Sequence, residues 1–318
     1  MPDGERWAPA DVDMGRPNPA RVYDWLLGGG HNFQADREMG ERLLALQPDA
    51  RSWAHANRAF LRRAVEHVLD SGVRQILDIG AGIPTLGAVH EIAQKRAPDA
   101  RVVYVDTDPV AVLQAQHLLW DNPQATAVQG DLRRVDDILE HRDVRAAVDF
   151  AQPVAVLLVA VLHFVADADQ PAAILARLRQ AVAPGSVLVI SHASVPRDMT
   201  AVQVRAAREY SQQVAPLALR PRAQVQALFD GWRLVEPGVC GVAFWHPGYA
   251  EPADGVDLHE AATIPGWAGV AVKPDDSRGE HPNGEHHLRR YAVPAQGRSA
   301  NAGRARDLQR DRAVHAVR

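Results

Sequence analysis

The sequence has a single cysteine, Cys240, in 318 residues, so no disulfide framework is available and a reducing compartment is the expectation. It also lacks a charge excess. The 35 Lys and Arg stand against 39 Asp and Glu, a formal net charge of −4, which gives no electrostatic case for nucleic acid or an anionic membrane. Long apolar runs are missing too. The longest, Val154 to Val165, contains His163 and is shorter than the roughly 20 residues needed to span a bilayer core of about 30 Å. The opening MPDGERWAPADVDMG is acidic and has no apolar stretch, so it does not read as a signal peptide. A cytoplasmic protein without membrane or nucleic-acid partners is expected.

What is present suffices for one large core with a helical appendage, at 47% hydrophobic residues. Residues 1–18 are rich in Pro and Asp and read as a loose N-terminus. Over 19–72 the apolar spacing is helical: Val22, Leu26 and Leu27; then Met39, Leu43, Leu44 and Leu46; then Phe60, Leu61, Val65, Val68 and Leu69. Gly28–Gly30 breaks the first of these helices and Gly72 ends the last. From Val73 short β-branched runs alternate with helical stretches. The runs are Gln75–Ile79, Val102–Val105, Ala125–Val128, Val154–Val159 and Val187–Ser191. Helices are expected near 85–96, 109–120, 133–141 and 169–183. Such alternation predicts a doubly wound, mostly parallel α/β sheet with both faces covered, and "VAVLLVAV" is the continuous apolar strand such burial demands. Trp232–Glu236 and either Val239–Phe244 or Gly269–Val272 would bring the sheet to seven strands over 73–273. Residues 274–318 lack periodicity and read as a disordered tail.

The turn after the first strand, "LDIGAGIPT", carries the chemistry. In an open parallel sheet the ligand sits beyond the carboxyl ends of the strands, at the point where the winding reverses. Gly80 and Gly82 allow a sharp turn and close approach of the backbone. The third glycine of a dinucleotide fingerprint is absent, with Thr85 in its place, and Pro84 removes an N–H that would face a phosphate. Asp78 points the same way. S-adenosylmethionine carries a sulfonium and an ammonium against one carboxylate, whereas a pyrophosphate is anionic. A carboxylate beneath the turn favours the first, since unit charges 4 Å apart interact by about 4 kcal/mol at an effective dielectric of about 20. Asp106, ending "VVYVD", suits the ribose hydroxyls, and Asp131, after "ATAVQG", suits the adenine amino group or simply caps the next helix. With the loop neighbours Ala81, Thr107 and Leu132, these residues are the expected cofactor site.

Taken together, "RVYDWLLGGGHNFQADRE", "ANRAFLRRAV", "LDIGAGIPT", "VVYVDTDPV", "VAVLHFV" and "APGSVLVISH" resemble an actinobacterial family of S-adenosylmethionine-dependent methyltransferases, once catalogued as a domain of unknown function. The resemblance runs from about Pro19 to Lys273. It implies a class I methyltransferase, with a Rossmann-like sheet under an N-terminal helical cap. By motif position it carries over Asp78, Gly80 and Gly82 as the cofactor loop, Asp106 as the ribose acceptor and Asp131 as the adenine contact. It implies no particular acceptor and no oligomeric state.

Methyl transfer needs an acceptor held in line and, for some acceptors, a base. The fourth strand end lacks an Asn/Asp-Pro-Pro-aromatic motif, Cys240 lies away from any nucleophile position, and no acidic cluster suggests a metal. His163 is the candidate base, with a packed histidine as the alternative; His192 is a weaker one. In the cap, Tyr23 on the first helix and His31, Asn32 and Phe33 after the glycines are candidates for touching the cofactor or acceptor. Asp36 is expected to cap the second helix, and Asn57 and Arg58 are expected to be solvated or ion-paired. A methyltransferase acting on a small molecule is the leading reading. A cofactor-binding sensor without transferase activity is the alternative.

Overall fold

The computed structural model describes residues 12–84, 87–194, 200–246 and 266–275. Thr85, the first eleven residues and the tail from 276 onward lie outside the described residues, and the expectations placed on them with it.

Five aliphatic runs pair in parallel: β1 (Gln75–Ile79), β2 (Arg101–Asp106), β3 (Ala125–Gln129), β4 (Ala155–Val159) and β5 (Val187–Ala193). Three shorter or later segments complete the sheet, β6 (Arg233–Leu234), β7 (Cys240–Gly241) and β8 (Gly266–Val272). The order is β3-β2-β1-β4-β5-β8-β6, with β7 paired to β8 beside that path. The winding therefore reverses between β1 and β4. Strand β8 runs antiparallel to β5, in register from Val187 opposite Val272 to Ala193 opposite Gly266. The two segments weighed against each other as a last strand are both strands, because β7 borders β8 instead of replacing it.

Side chains alternate across the central strands into two separate cores. Ile76, Val102 and Leu157 face one side, where Phe60, Val65 and Trp245 fill the space. Leu77, Val103 and Leu158 face the other, against Ile138, Leu175 and Leu178. All five residues of β1 and of β4 are buried, as a sheet covered on both faces requires.

The cap begins with α1 (Pro19–Leu26), α2 (Gln34–Leu46) and α3 (Ala50–Asp70). Asn18 caps α1, its side chain accepting the Ala20 N–H at 2.8 Å, and Pro19 occupies the first helical position. Asp36 caps α2 as expected, accepting the Phe33 N–H at 2.8 Å, and its second oxygen accepts the Asn18 N–H at 2.9 Å. One buried carboxylate thus holds two helix starts. The glycine loop between these helices turns inward. Asp24 accepts from the His31 N–H and from Asn32 Nδ2, both at 2.9 Å, and a Cβ on Gly29 would lie 2.0 Å from Asp24 Oδ1.

After the sheet begins come α4 (Val89–Arg96), α5 (Pro109–Leu118), α6 (Val135–Glu140), α7 (Arg142–Ala147), α8 (Pro171–Ala181), α9 (Ala201–Gln213) and α10 (Arg222–Ala227). The pattern did not announce α7 or α9. The buried side of α9 continues into Val214, and Ala206, Tyr210 and Val214 leave only a thin stripe at four-residue spacing.

Asn57, expected at the surface, is 1% exposed and joins cap to sheet. Ser191 Oγ on β5 donates to Asn57 Oδ1 at 2.5 Å, Asn57 Nδ2 donates to the Tyr23 hydroxyl at 2.9 Å, and that hydroxyl donates to the Ala54 carbonyl at 3.1 Å. Ser191 Oγ in turn accepts the Ala160 N–H at 2.9 Å. The Ala160 N–H is shared with the Ser191 carbonyl, at 3.2 Å. Asn57→Ala removes the acceptor of the Ser191 hydroxyl and the donor to the Tyr23 hydroxyl and is expected to cost roughly 2–3 kcal/mol of stability, measured by urea denaturation; a loss under about 0.5 kcal/mol would show that cap and sheet do not depend on this chain.

Candidate active site

A cavity of about 640 Å³ opens beyond the carboxyl ends of the central strands, roofed by α1, α3 and α9. Asp78, Gly80, Ala81, Gly82, Asp106, Thr107, Asp131 and Leu132 all line it. So do Tyr23 and His163. His31, Asn32 and Phe33 do not belong to its lining: the first two face Asp24, and Phe33 packs with Ile83, Val110 and Ala111 behind the glycine turn.

The turn is held by β2. The N–H groups of Gly80 and Ala81 donate to the Val105 carbonyl at 2.8 and 3.1 Å. Gly80 has φ +74°, and a Cβ there would meet Val161 Cγ2 at 2.3 Å, so both conformation and space demand glycine. At Gly82, φ +65° again favours glycine, and a Cβ there would only touch Ala20 Cβ at 3.9 Å. The next helix, α4, starts only at Val89 with Ala88 as its cap. The glycine turn therefore does not open directly into a helix N-terminus, the element a pyrophosphate site uses.

Three aspartates stand at three successive strand ends. Asp106 accepts the Gly82 N–H at 2.7 Å and the Asp108 N–H at 2.9 Å, which ties the loops after β1 and β2 together. Burial pushes its pKa up, against those backbone donors. Asp131 caps the short 3-10 turn Leu132–Arg134 and holds the Arg133 guanidinium at 2.6 Å, so its pKa is lowered. The capping alternative is thus realised at Asp131, and any adenine contact would share that carboxylate with Arg133. Asp78 differs from both. It is 4% exposed, and no hydrogen bond from the chain offsets its burial. Burial raises its pKa to about 7, with Arg58 opposing and Asp106 reinforcing the shift. A buried carboxylate facing a cavity without a donor of its own suits a cationic ligand.

On the other side of the reversal point stand His163, in the 3-10 turn after β4, and the end of β5. His163 Nδ1 accepts the Ala193 N–H at 3.2 Å, which places the ring proton on Nε2. Burial, then His192 and Arg220, hold its pKa well below the ordinary value. In this ring orientation Nδ1 accepts and the remaining nitrogen is a donor, the hydrogen-bonded arrangement named as the alternative to a base. His192 is fully buried between the Arg220 Nη1 donor at 3.1 Å and the Ala193 carbonyl at 2.6 Å, and is absent from the lining. Its role is structural. Pattern reasoning missed Trp53, Phe164 and Tyr210, which line the cavity as large rings from three distant segments. Their helical spacing marks them only as core.

This geometry can be set beside known proteins. The model of the family described as S-adenosyl methyltransferase matches residues 5–274. The chain belongs to that family. It is accordingly a methyltransferase that uses S-adenosylmethionine. Among solved structures it is similar to a candidate methyltransferase from Thermobifida fusca, at 35% identity and a TM-score of 0.77, over 85% of this chain and 100% of that one. It is also similar to a DUF574 family protein from Streptomyces avermitilis, at 36% identity and a TM-score of 0.75, over 82% and 99% of the two chains. No curated protein matches it. Among the described residues no helix of this methyltransferase is long and apolar enough to cross a membrane.

Asp78 generates a pH prediction for the family's cofactor. Its carboxylate must be deprotonated to pair with an ammonium, so affinity is fully present above about pH 7 and falls as pH drops below it, by up to about tenfold per pH unit. Calorimetric titration of S-adenosylhomocysteine between pH 5.5 and 8.5 should show this slope. Asp78→Asn should bind at least about tenfold more weakly at pH 8 and lose the slope while remaining folded, because it removes an unpaired buried charge. A wild-type affinity independent of pH would remove Asp78 from the site.

Proposed function

We propose that the methyltransferase acts on a small molecule bound in the same cavity as the cofactor, on the β4–β5 side of the reversal point. The observation that carries this reading is the continuity of the cavity, from Asp78 and Asp106 at one end to Tyr23, Trp53, Phe164 and Tyr210 at the other. Its roof of three helices excludes a bulky partner and favours an acceptor of ligand size.

In this reading the backbone at Gly80, Ala81 and Gly82 lies against the cofactor, Asp106 with Thr107 beside it accepts from the ribose, and Asp131 and Leu132 border the adenine. Asp78 takes the ammonium of the methionine end. Arg58 on α3, which lines the cavity and donates to the Gly87 carbonyl at 2.9 Å, takes the carboxylate. The two charges then read the two charges of an amino acid in opposite senses, and each desolvated partner gains the other's complement.

S-adenosylmethionine supplies a methyl group on a positively charged sulfur, a leaving group that needs no protonation. The chain's task is alignment and exclusion of water. Tyr23, held by Asn57, fixes α1 as part of the wall. His163 Nε2–H is placed to donate to an acceptor oxygen or nitrogen, and the described residues on that side contribute no carboxylate as a base.

The test compares S-adenosylhomocysteine with 5′-methylthioadenosine, which lacks the amino-acid end. Arg58→Met should weaken the first by about tenfold or more and the second by less than about twofold, read by calorimetry. Equal losses for both ligands would place Arg58 elsewhere, and NAD binding in the same assay would overturn the assignment of the turn.

A further inference from the structure

The β4–β5 side of the cavity has a composition of its own. The carboxylates of the lining, Asp13, Asp78, Asp106, Asp108 and Asp131, belong to the loops after β1, β2 and β3 or to the N-terminal segment that packs beside them. The lining arginines sit with them: Arg16 lies in the N-terminal segment, its carbonyl accepting from Arg21, which lies 3.7 Å from Asp108; Arg133 holds Asp131, and Arg58 is the cation acting on Asp78. Among the described residues the opposite side contributes no charged side chain.

It contributes rings instead. Tyr23 and Trp53 meet edge to face at 6.1 Å, Trp53 and His163 at 6.0 Å, His163 and Phe164 at 4.3 Å, and Phe164 and Tyr210 lie near parallel, 22° apart, at 6.3 Å. These five rings form one continuous wall from α1 through α3 and the turn after β4 to α9. Most of its polar atoms are already used. The Tyr23 hydroxyl and the Asn57 amide are committed to each other and to Ala54 and Ser191. Ser194 Oγ donates to the Arg220 carbonyl and accepts from Trp267 Nε1.

Three groups are left over, the first being Trp53 Nε1, which is buried without a hydrogen-bond partner. His163 Nε2 carries the ring proton, since Nδ1 accepts the Ala193 N–H. The Tyr210 hydroxyl belongs to a residue only 8% exposed, and no described residue hydrogen-bonds it. Tyr210 lines the cavity, so a polar group supplied from outside the chain can reach that hydroxyl.

We infer that the acceptor is a flat, uncharged aromatic molecule seated against this wall, with polar substituents that meet His163 Nε2–H and the Tyr210 hydroxyl. Flat rings gain contact against aromatic faces and edges that a puckered skeleton cannot match. Arg58, Arg220 and Asp36 act on Tyr23, His163 and Tyr210, but Arg220 is paired with Asp167, Asp36 with Arg21, and Arg58 is taken by the cofactor. A carboxylate or ammonium on the acceptor would therefore be stripped of water without a counter-charge of its own. This inference rests on the reading of the cavity as holding cofactor and acceptor together.

The experiment uses the full-length protein saturated with S-adenosylhomocysteine and three probes of matched size: 2-naphthol, its saturated counterpart decahydro-2-naphthol, and 2-naphthoate. Calorimetry should give 2-naphthol an affinity at least about tenfold above either of the others. Tyr210→Phe should weaken 2-naphthol by about fivefold and leave the affinity for S-adenosylhomocysteine unchanged, a split that a merely structural role would not produce. The melting temperature of that variant, which lacks only one oxygen, checks its folding. No binding of 2-naphthol, equal binding of the saturated alcohol, or equal binding of the anion would each overturn the proposed class. An unchanged 2-naphthol affinity in Tyr210→Phe would remove Tyr210 from the acceptor site. Failure of S-adenosylhomocysteine to bind would instead overturn the cofactor site, and the same three probes on the free protein would still decide the acceptor class.

Discussion

Everything about the site depends on one buried amide. Asn57 carries the hydrogen bond from β5 across to α1, and with it the position of the helical cap over the open end of the sheet. The chain reads in one direction only, from the Ala160 N–H through Ser191, Asn57 and Tyr23 to the Ala54 carbonyl, so no member can rotate without leaving a neighbour unpaired. Ala160 itself has φ +59°, a left-handed conformation that costs energy in a residue with a Cβ, and this network is what holds it there. The strained residue, the Tyr23 hydroxyl and the cavity wall are thus parts of one unit.

The cofactor end shows the complementary arrangement, in which groups are left incompletely satisfied. Asp78 is buried without a donor, and Asp108 has one oxygen buried without a hydrogen bond. Burial raises the pKa of Asp108 to about 6, with Arg21 lowering it. Such carboxylates lower the stability of the free protein, because folding strips them of water. A ligand bearing positive charge recovers part of that loss, which ties cofactor affinity to the same desolvation that strains the fold. The β4–β5 side of the cavity is organised by the opposite principle: its wall is aromatic and most of its hydrogen bonds are internal. Two chemistries meet within one cavity because the sheet winds outward in both directions from β1 and β4.

Much of this was legible in the residues alone. Each of the five central strands was visible as an aliphatic run, since a strand covered on both faces must be apolar throughout. The turn at Gly80 could be read because its demands are local: a sharp backbone, a close approach and a carboxylate just ahead. Where the reading went astray, the cause was a partner distant in sequence. Asn57 looked like a polar residue on a helix surface, and only Ser191, on another strand, makes it interior. Nearer in sequence, the Asn32 amide looked free to meet a ligand, but it donates to Asp24 on the preceding helix. For His163 the choice between a base and a packed ring waited on the Ala193 N–H, which its Nδ1 accepts. Tyr210 lies on a helix whose apolar stripe is too thin to register as a periodic pattern.

The sequence by itself determined the sheet, the reversal point and the class of cofactor, because periodicity and a short glycine turn are properties of neighbouring residues. Tertiary structure alone decided the β4–β5 side of the cavity. Its wall is assembled from Tyr23, Trp53, His163, Phe164 and Tyr210, which belong to four separate elements and share no spacing. What brings them together is the reversal of winding between β1 and β4 with the cap pinned by Asn57, and the distances between those rings do not exist until the chain has closed over the sheet.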